Sequence, residues 1–415
     1  MKYAHMADCH IGAWRDPKLK DANMLAFEKA VDTSISKGAD FILISGDLFN
    51  TALPPIDYLK RTVMKLKQLK EAGIYTYIIA GSHDFSASGK TMIDVLEEAG
   101  LVTNVVKGTA VGEKLQLKFT VDPKTGTKIT GMLGRKLLLD KKYYDALDME
   151  HLESEPGYKI FMFHTAISEL RPKDLEKMDA EPVSILPRGF DYYAGGHVHI
   201  ISKADLPDHK SVAYPGPLFP NSFKELEDLR TGGMYLVESI NGTTKAEYLP
   251  IKIHNTVPLQ VNCDGLSPEL VLEKIDKMLK NKEFVDSIVT IRLIGTLASG
   301  KSSDIRLSDI FDTIYSKGAY FVMKSTTMLK SKEFEHIMIS PETESDCDIE
   351  APIIKEHAGQ MIFPGKKDAL STVSAINMLM TSFWTSKREG EKIADFESRL
   401  KKEVESTLSA LNSEK

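Results

Sequence analysis

Aspartate and histidine side chains recur where predicted buried strands end, and as a group they could bind metal ions. Each set follows a short apolar run, and the carboxyl ends of parallel strands meet at one edge of an open sheet. One such histidine alone is usually a core or turn residue, but packing does not explain the whole ordered set. The candidate metal ligands are Asp8, His10, Asp47, Ser82, His164, His197 and His199, and the candidate catalytic residues beside them are His83 and Asp84.

The ligand types in this set indicate phosphoryl chemistry. Carboxylate oxygens mixed with imidazole nitrogens, without a thiolate, favour manganese, iron or zinc in a reactive site over a structural zinc. A carboxylate at Asp47 could bridge two ions, which would stabilise the attacking and the leaving oxygen of an in-line phosphoryl displacement. His83 is placed to protonate or steady the leaving oxygen, and Asp84 could orient its imidazole.

The segment that ends at Asp47 is the clearest strand of the chain. Residues 41–45 are apolar or small, which fits a strand that is buried on both faces, and Gly46 permits a sharp turn after it. Strands and helices then alternate at a spacing that predicts βαβ units around a parallel sheet. The predicted strands are 2–7, 41–45, 75–80, 158–164 and 190–195, and the predicted helices are 21–37, 56–72 and 91–99.

The remaining patterns predict two sheets packed face to face and flanked by helices, which makes the fold class α/β. We expect a hairpin between 114–120 and 127–133, and antiparallel strands near 212–214, 233–238 and 244–250 that complete the second sheet. A small α+β domain and C-terminal helices follow. The predicted divisions are 1–253 for the catalytic domain, 254–338 for the small domain, 339–366 for an acidic linker and 367–415 for a helical segment.

Composition indicates a water-soluble protein of two or three domains. The 415 residues are 42% hydrophobic and 27% charged, and the net charge of −6 neither indicates nor excludes nucleic-acid binding. The three cysteines lie too far apart for a disulfide framework or a zinc finger, which suits a reducing cytosol. No signal-peptide pattern and no membrane-spanning apolar run occur, so we expect a cytoplasmic protein without membrane association.

Three sequence motifs carry a resemblance to a known family. They are Ala7-Asp8-Cys9-His10-Ile11-Gly12, Gly46-Asp47-Leu48-Phe49 and Tyr214-Pro215-Gly216. With the ordered ligand set, they resemble the calcineurin-like metallophosphoesterases, and most closely the nuclease subunit of the DNA double-strand-break repair complex (SbcD/Mre type) in an archaeal form. The resemblance covers about the first 250 residues by motif and the rest by layout.

The resemblance implies a nuclease, with exonuclease and endonuclease action, that depends on two Mn²⁺ ions, although other divalent ions are possible. In this family one ion is held by the residues at Asp8, His10, Asp47 and His199, and the other by those at Asp47, Ser82, His164 and His197. The chain departs from the family at Ser82, where asparagine is usual, and at Asn50, where a histidine tied to exonuclease action is frequent. The serine at Ser82 could weaken binding of the second ion, and the asparagine at Asn50 could reduce exonuclease activity.

The same resemblance implies partners. They are DNA, as double-stranded ends or single strands, an ABC-type coiled-coil ATPase subunit and a second copy of the chain. The small domain would act as a capping domain that helps to bind DNA. Apolar residues at helical spacing in the C-terminal segment would contact the ATPase, and these are Leu370, Val373, Ile376, Phe383, Phe396, Leu400 and Val404.

Three alternatives remain open from the sequence. The metal site alone also fits another calcineurin-like phosphoesterase that acts on small molecules or proteins. A DNA-end-binding scaffold with a weakened metal site would account for Ser82 and Asn50. The C-terminal helices could instead pack on their own domain, because apolar stripes at helical spacing are usually part of a core.

Overall fold

The computed structural model of the chain describes residues 1–86, 89–134, 141–172, 178–332 and 393–413. It forms two compact units. The first comprises Met1–Leu297 and Lys301–Leu329, and the second comprises Ala298–Gly300 and Lys330–Lys415. The predicted linker 339–366 and the four predicted partner-binding residues between 370 and 383 lie outside the described residues.

The first six-stranded sheet contains the strands that carry Asp8, Asp47 and Ser82. Its central strands are parallel, as expected, but the two strands near 233–250 complete this sheet and not the second one, so that prediction was wrong. The strand at residues 233–240 pairs antiparallel with the strand at residues 2–6 (Tyr3 with Val237), and the strand at residues 243–250 pairs with it in turn, so the edge of the strand at residues 2–6 is covered. The strands are β1 (Lys2–Met6), β2 (Phe41–Ser45), β3 (Tyr75–Ile79), β4 (Thr103–Asn104), β13 (Gly233–Ile240) and β14 (Thr243–Pro250), in the order β14-β13-β1-β2-β3-β4.

The second six-stranded sheet carries His164 and the His197–His199 turn. A turn at residues 122–126 joins two of its strands as predicted, and the Asp122 side chain stabilises that turn by accepting a hydrogen bond of 2.8 Å from the Thr125 amide. The strands are β7 (Thr120–Val121), β8 (Lys128–Gly131), β9 (Lys159–His164), β10 (Tyr192–Gly196), β11 (Ser202–Leu206) and β12 (His209–Tyr214), in the order β11-β12-β10-β9-β8-β7.

The predicted partner for residues 114–120 was wrong. Lys114–Leu117 (β6) pairs with Gly108–Val111 (β5) in a separate two-stranded sheet. The two-residue turn between them contains Gly112 at φ +60°, a conformation that hairpin turns of this length require.

Alternating side chains of the strands separate two cores. In β2, Phe41 and Leu43 lie in the core between the two sheets, whereas Ile42 and Ile44 pack toward the helices. Because the two sheets pack on a shared core, the carboxyl ends of their parallel strands lie close to each other. The helices of this part are α1 (Pro17–Ser36), α2 (Ile56–Glu71), α3 (Met92–Glu98), α4 (Lys141–Asp145), α5 (Met149–Ser154) and α6 (Phe223–Asp228).

Residues 255–331, which the sequence assigns to a small α+β domain, form a three-stranded sheet and two helices around a hydrophobic cluster of their own. In the first of these helices, the Ser267 hydroxyl accepts a hydrogen bond from the Leu270 backbone amide, and proline occupies the first helical position. The elements are β15 (Asn255–Asn262), α7 (Pro268–Leu279), β16 (Ser287–Leu297), α8 (Ser308–Ser316) and β17 (Phe321–Ser331), with the sheet order β15-β16-β17.

The second unit contains a long helix, α9, over Ile393–Ser413, where the sequence predicts one. Phe396, Leu400 and Val404 are half-buried on it. Among the helices of the described ranges, none has both the length and the apolar character needed to cross a membrane.

Candidate metal centre

The predicted ligands meet where the strands of the two sheets end. Asp8 follows β1, Asp47 follows β2 and His164 ends β9. The His164 Nε2 atom lies 3.1 Å from Asp47 Oδ2, so a residue of the second sheet contacts one of the first. His10 Nε2 lies 3.6 Å from the same oxygen.

Three groups of side chains, which share some members, could each hold a metal ion. Within each group, the candidate ligand atoms all lie within 4.8 Å of one another. Asp8 belongs to two of these groups, and so does Asp47, so each carboxylate could serve two ions. The groups are Asp8–His10–His199, His10–Asp47–His83 and Asp8–Asp47–His164.

Burial makes this cluster electrostatically costly unless cations balance it. Asp8 and Asp47 are almost completely buried, and burying unpaired carboxylates costs several kcal/mol or more. Burial acts to raise the pKa of Asp47, but His164, His10 and the backbone amide of His83 together outweigh it and hold that pKa well below its ordinary range. Conversely, burial opposes protonation of His164, yet Asp47 raises the pKa of His164 to about 10. The space between Asp47 and His164 therefore favours a positive charge, carried either by a proton on His164 or by a cation.

The imidazole nitrogens also suit a bound cation. His10 Nε2 lies 3.0 Å from His199 Nε2, and two ring nitrogens at that distance can share only one proton in a hydrogen bond. Burial lowers the pKa of His10 to about 3, so its ring is neutral and able to donate a lone pair. The His10 Nδ1 atom is buried without a hydrogen-bond partner among the described residues. Divalent transition metals bind neutral imidazoles and ionised carboxylates, and a bound cation would take the place of the proton that Asp47 stabilises on His164, so the residues fit such ions.

Two of the predicted ligands lie less centrally. The His197 side chain is exposed and outside the three groups, with its ring centroid 5.2 Å from that of His164. Its backbone amide donates hydrogen bonds of 2.9 and 3.1 Å to the two Asp8 oxygens and so fixes that carboxylate. Ser82 is partly buried in the turn after β3.

His83 and Asp84 have different surroundings. The His83 amide donates a 2.7 Å hydrogen bond to Asp47 Oδ1, and His83 Nδ1 lies 2.9 Å from the Asn50 carbonyl oxygen. This carbonyl provides the orienting contact that we expected from Asp84. The buried Asp84 carboxylate instead accepts hydrogen bonds from the amides of Phe49 and Gly81, at 3.1 and 2.9 Å, and so ties together the loops after β2 and β3. Burial, with the nearby Asp47 charge, raises the pKa of Asp84 to about 7.

The backbone of the ligand loops adopts conformations that few residues tolerate. Five of the predicted ligands have positive φ angles, at +49° for Asp8, +42° for His10, +50° for Asp47, +98° for His197 and +53° for His199. Such strain is concentrated at functional sites, where the surrounding structure imposes it. Gly46, at φ +86°, lies so close to His164 that a Cβ atom there would overlap the ring.

One residue of the site was missed by sequence reasoning. Glu225 Oε1 lies 3.2 Å from His199 Nδ1. The two residues are 26 positions apart, and Glu225 stands in a Ser-x-x-Glu pattern with Ser222, which by itself indicates only a helix start.

Comparisons with known proteins agree with this geometry. The family model described as calcineurin-like phosphoesterase matches residues 1–200. The DNA double-strand break repair protein Mre11 of Methanocaldococcus jannaschii is 30% identical, over 69% of this chain and 75% of that protein. The proteins of the same name from Archaeoglobus fulgidus and Methanopyrus kandleri are 25% and 30% identical. These alignments cover 87% and 58% of this chain, and the chain spans 82% and 55% of the two relatives' lengths.

The alignments and the strand-end ligands identify the same family. The aligned part includes the region of every predicted ligand, and the ligands converge on one cluster at the edges of two sheets. The chain belongs to the calcineurin-like phosphoesterase family, in the group of the archaeal Mre11 proteins, and is a hydrolase of the dinuclear-metal phosphodiesterase type.

Proposed function

We propose that this chain is a metal-dependent DNA nuclease that hydrolyses phosphodiester bonds at DNA ends during double-strand break repair. The observation that carries the proposal is the convergence of two buried, shared carboxylates and four imidazoles from five strand ends. The names of the archaeal relatives support DNA as the substrate.

In this proposal Asp8, His10, Asp47 and His199 hold one ion, and Asp47, Ser82, His164 and His197 hold the other, with Mn²⁺ as the physiological metal. When bound, the two ions would stabilise charge on the phosphoryl oxygens and make a hydroxide available near neutral pH. The buried carboxylates fix where positive charge accumulates, because their orientation is set by backbone amides of His197 and His83.

His83 is the proposed proton donor to the leaving oxygen. Its Nδ1 atom contacts the Asn50 carbonyl, which can only accept, so Nδ1 carries a hydrogen and Nε2 is the nitrogen that exchanges a proton with substrate. The ring centroid lies 4.8 Å from that of His10, which places this exchange beside the ligand cluster. Asp84 acts through the loops that it joins.

The domain divisions and partners belong to the same proposal. We assign 1–253 to the nuclease domain, 254–338 to a capping domain that contacts DNA, 339–366 to a linker and 367–415 to a helical segment. The half-buried residues of α9 and the predicted helix before it would contact an ABC-type coiled-coil ATPase. A homodimer would present two active sites to a DNA end.

An assay on labelled DNA tests this function. Single-stranded and double-stranded oligonucleotides are incubated with Mn²⁺ or Mg²⁺, with and without the ATPase, next to bis(p-nitrophenyl) phosphate and p-nitrophenyl phosphate. We expect metal-dependent cleavage of DNA and of the diester. Hydrolysis of the small esters without DNA cleavage would indicate another phosphoesterase, and DNA binding without any hydrolysis would indicate a scaffold.

A further inference from the structure

His199 is held by a carboxylate on the side that faces away from the metal ligands. Its Nε2 atom is directed into the cluster, 3.0 Å from His10 Nε2 and 3.9 Å from Asp8 Oδ1, whereas its Nδ1 atom faces Glu225. Two other histidines of the site, His83 and His164, have backbone carbonyl oxygens in the corresponding position. A carboxylate partner makes an imidazole a stronger metal ligand than a carbonyl does.

The Glu225 carboxylate is itself fixed in place. Its Oε2 atom accepts a 2.8 Å hydrogen bond from the backbone N–H of Asn221, and its Oε1 atom accepts one of 3.1 Å from the Ser222 hydroxyl. The Ser222 hydroxyl in turn accepts a hydrogen bond from the Glu225 backbone amide. Ser222 and Glu225 therefore contact each other twice and cap the first turn of α6. Rotation of the carboxylate away from His199 would break these contacts.

The helix that carries Glu225 is anchored at a second point. Glu227 Oε2 accepts a 2.8 Å hydrogen bond from Arg292 Nε in β16, and the Arg292 guanidinium lies 4.9 Å from the centroid of the Phe223 ring. Glu225 and Glu227 therefore hold the same short helix through different partners, one in the metal centre and one in the small sheet. This difference separates a role in metal binding from a role in holding the helix.

We propose that Glu225 is a positioning residue for the metal centre, which accepts the Nδ1–H hydrogen of His199 and thereby directs the His199 Nε2 lone pair at a bound ion. The inference rests on the proposed metal-dependent function. It adds a sixth element to the site, because α6 joins the five strand ends as a determinant of ligand geometry. Replacement of an outer partner of this kind typically weakens metal binding by about 10–100-fold.

The test measures Mn²⁺ affinity of the full chain by calorimetry, without substrate. We expect Glu225→Ala to bind one Mn²⁺ equivalent about 10–100-fold more weakly than the wild type, and Glu225→Gln, whose amide oxygen can still accept a hydrogen bond, to lie between them. The matched control for Glu225→Gln is Glu227→Gln, which makes the same chemical change two residues away. It removes an ion pair with Arg292, so we expect a lower melting temperature but an Mn²⁺ affinity within about twofold of the wild type.

A spectroscopic measurement separates geometry from stability. The absorption spectrum of the Co²⁺-loaded protein reports the ligands of the ion, so we expect it to change in Glu225→Ala and to stay unchanged in Glu227→Gln. If Glu225→Ala and Glu227→Gln lost Mn²⁺ affinity equally, Glu225 would act only by holding the helix in place. Wild-type affinity and spectrum in Glu225→Ala would overturn this inference alone, whereas absence of metal binding by the wild-type chain would overturn the proposed function and this inference with it.

Discussion

At the scale of single residues, two features of the proposed ligand set destabilise the folded chain. Its carboxylates are buried, and its backbone is left-handed at Asp8, His10, Asp47 and His199. Each left-handed non-glycine residue costs about 1–3 kcal/mol. A fold retains such costs when the arrangement has a use, and charge neutralisation by divalent ions would offset the electrostatic part.

Replacing His83 tests the proposed proton transfer at this scale. We expect His83→Gln to keep Mn²⁺ and DNA binding but to cleave DNA about 10²–10⁴-fold more slowly, because a general acid contributes an effect of that size. Metal content and single-turnover cleavage are measured on the same preparation. Loss of bound metal in the variant would mean that His83 is a ligand, as its group with His10 and Asp47 also permits.

At the scale of elements, β1 joins the metal centre to the core between the sheets. His5 in this strand is fully buried, with Nδ1 2.9 Å from the Tyr192 hydroxyl and Nε2 3.1 Å from the Ser45 hydroxyl. Burial lowers the pKa of His5 from 6.5 to about 3, so the folded protein keeps this ring neutral in mild acid.

The resulting pH dependence of stability can be predicted with its sign. Between pH 6.5 and about 3 the unfolded chain protonates His5 and the folded chain does not, so stability falls as the pH falls through this window. Between pH 7 and pH 5 this linkage amounts to about 2 kcal/mol of unfolding free energy. Urea unfolding in the presence of a chelator is compared for the wild type and His5→Gln. The wild type should lose about 2 kcal/mol more than the variant, and identical pH dependence in both would show that His5 does not carry the effect.

The sequence was sufficient for the strands that lead into the site but not for all pairing partners. β2 begins and ends as predicted, because a buried apolar run followed by glycine is a local signal. The sheet to which β13 and β14 belong was predicted wrongly, since antiparallel pairing with β1 joins residues more than 200 positions apart. The partner of β6 was missed because the short turn at Gly112 is a weaker signal than the longer turn at 122–126.

The same distinction applies to the site. The types and order of the proposed ligands could be read from the sequence, because they follow five predicted strands. The contact of His83 with the Asn50 carbonyl was not, since a backbone oxygen leaves no trace in the residue types. The contact between His199 and Glu225 depends on where α6 packs, which only the folded chain determines.

At the scale of the whole molecule, α9 is the element to which we assign the contact with the proposed ATPase partner. Its residues Phe396, Leu400 and Val404 recur every four positions and so lie along one face, whereas Lys401 and Glu405 are exposed beside them. We expect Leu400→Glu with Val404→Glu to abolish co-purification with the ATPase while metal-dependent cleavage of short DNA persists. The control exchanges the exposed charges, as Lys401→Glu with Glu405→Lys, and should bind the partner normally. Recovery of the ATPase at wild-type yield by the first variant would show that the apolar face belongs to this protein's own core.

The central claim is that two ions, shared by Asp47, perform phosphodiester hydrolysis, and Asp47→Ala tests it most directly. Bound Mn²⁺ and the initial rate of cleavage of end-labelled DNA are measured for the wild type and the variant, with circular dichroism as the control for folding. We predict two Mn²⁺ equivalents for the wild type, fewer for the variant, and a rate at least about 10³-fold lower, equivalent to about 4 kcal/mol of lost transition-state stabilisation. A folded Asp47→Ala protein that cleaves DNA at close to the wild-type rate would contradict the account.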